Sequence, residues 1–151
     1  MSEYALAVER STARLVGFDG SSAAATLFLR GASPRGPRPE SVGERLNSLE
    51  GEFLPCEIGG TIALVNLAWI VYDESPAEAD PAAPEPGLRR APAELDLITG
   101  ETLSGVLSYV ARPGRARVSD LLNSASDRFL LLISQGLERH VRRTAILRVR
   151  S

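Results

Sequence analysis

Short apolar runs separated by Gly-rich or polar breaks dominate the chain, a pattern that predicts strands and hairpins over long helices. "ARLVGFDG" (13–20) and "AATLFLR" (24–30) read as two strands joined by a turn at Gly20. "EFLPCEI" (52–58) and "RFLLLIS" (128–134) are apolar on both faces, which predicts buried strands. Gly59-Gly60 and Gln135-Gly136 follow as turns, and "LVNLAWIVYD" (64–73) and "HVRRTAILRV" (140–149) read as single closing strands. A short helix is expected ahead of each buried strand. Ser119 is expected to cap "DLLNS", with Asp120 near the positive helix start and Asn123 at the left-handed exit. Ser41 or Gly43 takes the capping part in the earlier segment, with Asn47 at its exit.

These patterns occur twice. Residues 42–73 align on 118–149 without a gap, with nine identities in 32 positions. Val42, Leu46, Asn47, Ser48, Phe53, Leu54, Gly60, Val65 and Ile70 fall on Val118, Leu122, Asn123, Ser124, Phe129, Leu130, Gly136, Val141 and Ile146. Upstream, residues 13–20 pair with 93–100 and 24–30 with 104–110 if the first copy has the longer loop. The expected organisation is a first β repeat over 1–73, a Pro/Ala-rich linker over 74–92 and a second β repeat over 93–151. Four or five short strands and one helical turn per copy predict a mainly β protein. Its form would be two tandem barrel-like repeats of the SH3 or Sm type, packed with pseudo-twofold symmetry because one copy alone buries little core.

The copies differ where their last strands align. Leu64, Asn66, Ala68, Ile70 and Tyr72 form a mostly apolar alternation, and His140, Arg142, Thr144, Ile146 and Arg148 a cationic one that Arg150 continues. Charge follows the same division: residues 1–88 hold 6 Arg and 13 acids, residues 89–151 hold 11 Arg and 6 acids. Arg139, Arg142, Arg148 and Arg150 are therefore the expected partner-binding residues, for an acidic protein partner. Trp69 joins them as a seam filler or an aromatic anchor. An Sm-like nucleic-acid or nucleotide binder is the alternative, weakened because the basic strand 140–151 contains no aromatic stacking platform. Edge strands of small barrels also invite a homodimer.

The rest of the composition mainly excludes. All 17 basic residues are arginine, which with abundant Ala, Gly and Pro fits a GC-rich bacterial genome. The apolar run 61–72 is too short to span a bilayer, and "MSEYALAVER" carries Glu3 and Glu9 without an apolar stretch, so neither membrane nor secretion is expected and the location is cytoplasmic. Cys56, alone and opposite Leu132 in the repeat, reads as a small buried hydrophobe. His140, the one histidine, stands among Arg139, Arg142 and Arg143 and reads as a surface or packing residue. No metal or cofactor motif and no nucleophile elbow occurs. Glu44 with Asn47 and Asp120 with Asn123 recur as pairs, but helix starts and exits account for them.

The run "RVSDLLNSASDRFLLL" (117–132) resembles an uncharacterised family of small bacterial β-rich domains with an R-x-x-D-x-L-N pattern before a Phe-containing strand. Arg117, Asp120, Leu122, Asn123 and Phe129 match it, whereas the first copy has Ser41 and Glu44 in place of Arg and Asp. The resemblance implies a bacterial β module and brings no activity. The expected function is a non-enzymatic protein-interaction or adaptor module without cofactors.

Overall fold

The computed structural model describes residues 8–31, 40–48, 52–77, 87–111, 113–114, 117–123 and 127–151. Along them one succession of elements runs twice. First come β1 (Val8–Gly17), β2 (Ser22–Arg30), helix α1 (Val42–Ser48), β3 (Phe53–Ile58), β4 (Thr61–Asn66) and β5 (Ile70–Pro76). Then follow β6 (Leu88–Leu97), β7 (Thr102–Val110), α2 (Val118–Asn123), β8 (Phe129–Ser134), β9 (Leu137–Arg142), a 3₁₀ turn at Arg143–Ala145 and β10 (Ile146–Arg150). The protein is mainly β and antiparallel.

The chain divides into two compact units, Met1–Val71 and Tyr72–Ser151, with β5 running across the boundary. In unit 1 the order is β1-β2-β3-β4, with β5 entering beside β1. In unit 2 it is β10-β6-β7-β8-β9, with Tyr72–Pro76 of β5 laid along β9. Neither order closes on itself among the described residues. The barrel expected from the pattern is an open sheet, with β4 at one edge and β10 at another.

Both anticipated hairpin turns form: Gly59-Gly60 and Gln135-Gly136 each place two successive residues at positive φ, the geometry that matches strand twist. The closing strands are a different matter. Each breaks in two, at Leu67–Trp69 and at Arg143–Ala145. Buried Leu67 and Ala145 keep the apolar pattern running through turns that contain no Gly or Pro. Asn66 starts the first turn by accepting the Ala68 N–H on its Oδ1 (2.9 Å).

The linker is shorter than 74–92. Glu74–Pro76 end β5 and Leu88–Pro92 begin β6, while 78–86 lie outside the described residues. Pro92 fits a strand because β10 pairs with β6 only as far as Glu94, so beyond that point no ladder needs its missing N–H. The boundary also removes the charge contrast. Counted from Tyr72, unit 2 holds 11 Arg and 11 acids, and unit 1 holds 6 Arg and 8 acids.

The two helices start by related devices. In α1, Ser41 Oγ accepts the Glu44 N–H (3.1 Å) and Glu44 accepts the Ser41 N–H (3.1 Å), a reciprocal capping box. In α2, Asp120 accepts the Arg117 N–H (3.1 Å), so the cap position is Arg117 and Ser119, expected there, lies inside the helix. At the aligned helix starts, Ser41 with Glu44 and Arg117 with Asp120 thus make two different N-terminal closures.

Loop hydrogen bonds recur at aligned positions. Leu67 N–H to Glu52 O (2.7 Å) matches Arg143 N–H to Arg128 O (2.8 Å). Phe18 N–H to Trp69 O (3.2 Å) matches Ile98 N–H to Ala145 O (2.9 Å). The cores align as well, with Leu15, Leu27, Leu54 and Cys56 in unit 1 and Leu95, Leu107, Leu130 and Leu132 in unit 2 all buried.

Candidate functional site

The four arginines expected on one strand face lie on two strands. Arg139 and Arg142 belong to β9, Arg148 and Arg150 to β10, and the 3₁₀ turn separates them. Arg139 pairs with Glu74 of β5 at 3.0 Å. Arg142 lies over the Phe129 ring at 5.0 Å, and burial, then neighbouring Arg128, pull its guanidinium below the usual value. Arg148 and Arg150 converge on one carboxylate, Asp96 of β6, at 2.8 Å each, and Arg150 also reaches Glu94 at 2.9 Å. Three of the four arginines thus meet carboxylates inside unit 2, and the continuous cationic face does not form.

Asp96 gains most from that arrangement. Hydrogen bonds from Arg150, then from Arg148 and Thr102, hold its carboxyl well below the ordinary 3.8. A depressed carboxylate adds stability that is complete above the unfolded value and is lost as the pH falls toward the folded one. The stability of unit 2 should therefore fall from about pH 4 downward. Asp96→Asn should flatten that part of the curve. Urea unfolding followed across a pH series checks this, and an equally steep acid limb in the variant would show that Asp96 is not its source. A cleft of about 530 Å³ beside the cluster is lined by Glu94, Ser104, Gly105 and Arg150, and its cation is already paired.

His140 is buried (4% exposed) and not at the surface. Its ring Nδ1 lies 2.6 Å from Asp73 Oδ1, and its backbone N–H donates to the same oxygen at 2.9 Å. Asp73 is fully buried on β5, and the two residues are direct cross-strand partners. One residue earlier on β5, buried Tyr72 donates its O–H to Glu101 (2.9 Å). These contacts tie β5 to unit 2. Cys56 is fully buried, which pushes its thiol up, away from a reactive thiolate.

Trp69 sits in the turn before β5, its indole against the Gly17 backbone. It packs within unit 1 near Asp19, whose carboxyl is held below its ordinary value chiefly by hydrogen bonds from the Ser21 hydroxyl and N–H.

The surface that stands out includes one residue of the expected apolar alternation, Leu64, and otherwise residues not expected to bind. On the β3–β4 hairpin, Phe53 (49%), Ile62 (61%) and Leu64 (67%) are exposed, with exposed Pro55 directly opposite Leu64. The opposite side of the hairpin carries buried Leu54 and Cys56. Exposed apolar side chains scattered singly need no explanation, but four on one face of one hairpin form a patch. β4, "TIALVN", has no charged residue.

Among the described residues no group of three or more His, Cys, Asp and Glu is placed to hold a metal ion, and no helix is long and apolar enough to cross a membrane. Comparisons with family models, with curated proteins and with solved structures find no match.

Proposed function

We propose that this chain is a tandem duplication of one small SH3- or Sm-like β module and acts as a non-enzymatic protein-interaction or adaptor module. The duplication is supported by the repeated element order and by the loop hydrogen bonds at aligned positions. The interaction role rests on one observation: the apolar face of the β3–β4 hairpin, where Phe53, Ile62 and Leu64 stand in water beside an uncharged edge strand. The arginines support a binding role less, because Arg139, Arg148 and Arg150 are engaged by Glu74, Asp96 and Glu94.

The test is affinity capture from host lysate with the tagged protein, in low and high salt, alongside Phe53→Ser/Ile62→Ser and Arg148→Gln/Arg150→Gln variants. A partner that survives high salt, is lost in the first variant and is kept in the second is the expected result. Loss in the arginine variant alone, with an eluate rich in 260 nm absorbance that disappears in salt, favours the nucleic-acid alternative.

A further inference from the structure

β4 and β9 hold the same place in the two halves of the chain, as do β5 and β10, yet their surroundings differ. β9 has β8 on one side and Tyr72–Pro76 on the other, in the register Tyr72↔Val141, Asp73↔His140, Glu74↔Arg139. β4 has β3 on one side and, among the described residues, no strand on the other. Exposure follows this difference. Phe129 is 2% exposed and its counterpart Phe53 is 49%; His140 is 4% and its counterpart Leu64 is 67%. The other partner shows the same contrast, since Tyr72 and Asp73 of β5 are buried while Arg148 of β10 is exposed and Val149 half-buried.

We infer that a second copy of this chain supplies the missing strand. β10 of one molecule adds antiparallel to β4 of the next, in the register that β5 makes with β9. Carried across the aligned positions, that register sets Arg148 opposite Val65, Val149 opposite Leu64 and Arg150 opposite Ala63. The polar Asp73–His140 pair of the existing junction becomes the apolar pair Val149–Leu64, while Arg148 and Arg150, held by Asp96 and Glu94 of their own chain, stand opposite the uncharged Val65 and Ala63. β4 lacks the devices that keep edge strands from pairing. It has no charge and no proline, and its register with β3 is unbroken. Two different surfaces meet, so the association is head-to-tail. It leaves a free β4 and a free β10 at its ends and continues until it closes as a ring or grows as a filament. The inference rests on the hairpin being an interaction surface and names its partner.

Sedimentation velocity of the full chain over a wide dilution series tests it, with two blocking variants. Leu64→Arg puts a charge on β4 at an exposed residue, and Val149→Lys puts one on β10 at a half-buried residue. Leu147→Arg, at a residue 70% exposed beside the bulge in β10, is the second β10 block should Val149→Lys lower the melting temperature. The wild type is expected to sediment as multiples of the 16.2 kDa chain and each variant alone as a monomer. Mixed in equal amounts, the variants should form a two-chain complex and nothing larger, since a single intact β4–β10 pair remains. A wild type that stays monomeric at every concentration overturns the inference; capture of a different protein through Phe53 and Ile62 would then leave the interaction reading standing. A β10-blocked variant that dimerises by itself reports β4–β4 pairing and overturns it too.

Discussion

Replacing Arg45 with alanine is expected to destabilise unit 1 by about 3–5 kcal/mol, the range for removing one partner of a buried ion pair. Glu40 stands immediately before the cap of α1 with its side chain 1% exposed, and Arg45 on that helix meets it at 2.9 Å with 13% of its own side chain exposed. The same carboxylate accepts the Arg30 N–H at the end of β2 (3.1 Å), and the Glu40 N–H returns to Arg30 O (2.9 Å). Without the guanidinium, a buried carboxylate keeps that backbone N–H as its remaining partner in this network. A loss of this size should lower the melting transition of unit 1 by roughly 12–40 °C. Glu40→Gln should also destabilise, since the amide oxygen still serves Arg30 but leaves the largely buried Arg45 guanidinium without its counter-charge. The aligned positions in the second half are Ala116 and Leu121, so Glu40→Ala/Arg45→Leu tests whether an apolar pair serves the first half as well. Removing both charges together should restore most of the loss. A single variant no less stable than wild type in thermal and urea unfolding would mean that the pair is open to solvent.

Strand positions and hairpin turns were legible because alternation, buried runs and paired positive-φ turn residues are local signals. The breaks at Leu67–Trp69 and Arg143–Ala145 were not. Their buried residues satisfy the core, and in the first of them Asn66 alone hints at a turn. One missed break changed the functional reading, because it joined Arg142 to Arg148 as though they shared a strand. The ion pairs that occupy Arg148 and Arg150 depend on a register across more than fifty residues, which no window along the chain contains. The apolar alternation through Leu64 was legible, but the exposure of Phe53 beside it was hidden for a related reason. Phe53 and Phe129 occupy one motif position, and what separates them is whether another strand lies on the next edge. Helix starts were half legible: Glu44 and Asp120 were recognised as acids at helix beginnings, while the choice of Arg117 over Ser119 as the cap turned on one backbone hydrogen bond.

Gly17→Leu is expected to be the other severe substitution, and Trp69→Ala should rescue it. A Cβ built on Gly17 lies 1.9 Å from Trp69 Cε2 and 2.2 Å from Cζ2, so no rotamer of a larger residue escapes the indole. Overpacking usually costs about 1–3 kcal/mol, and a clash at Cβ itself belongs at the upper end or beyond. Trp69 is the single tryptophan, so its expulsion from Gly17 should appear as a red shift of the intrinsic fluorescence. Trp69→Ala alone leaves a hollow over Gly17, at less than the about 3–5 kcal/mol of a fully buried tryptophan, since this indole is half-buried. The second half of the chain contains the reverse solution. Leu97 and Ala145 occupy the aligned positions, at 2% and 0% exposure, around the same backbone hydrogen bond. If the halves descend from one module, bulk has passed from strand to turn with the backbone unchanged. Gly17→Leu/Trp69→Ala then rebuilds the Leu97–Ala145 pair and should be clearly more stable than the sum of the single variants, with a coupling of about 0.5–3 kcal/mol. Strict additivity in urea unfolding would mean that the two turns share an outline but not a packing plan.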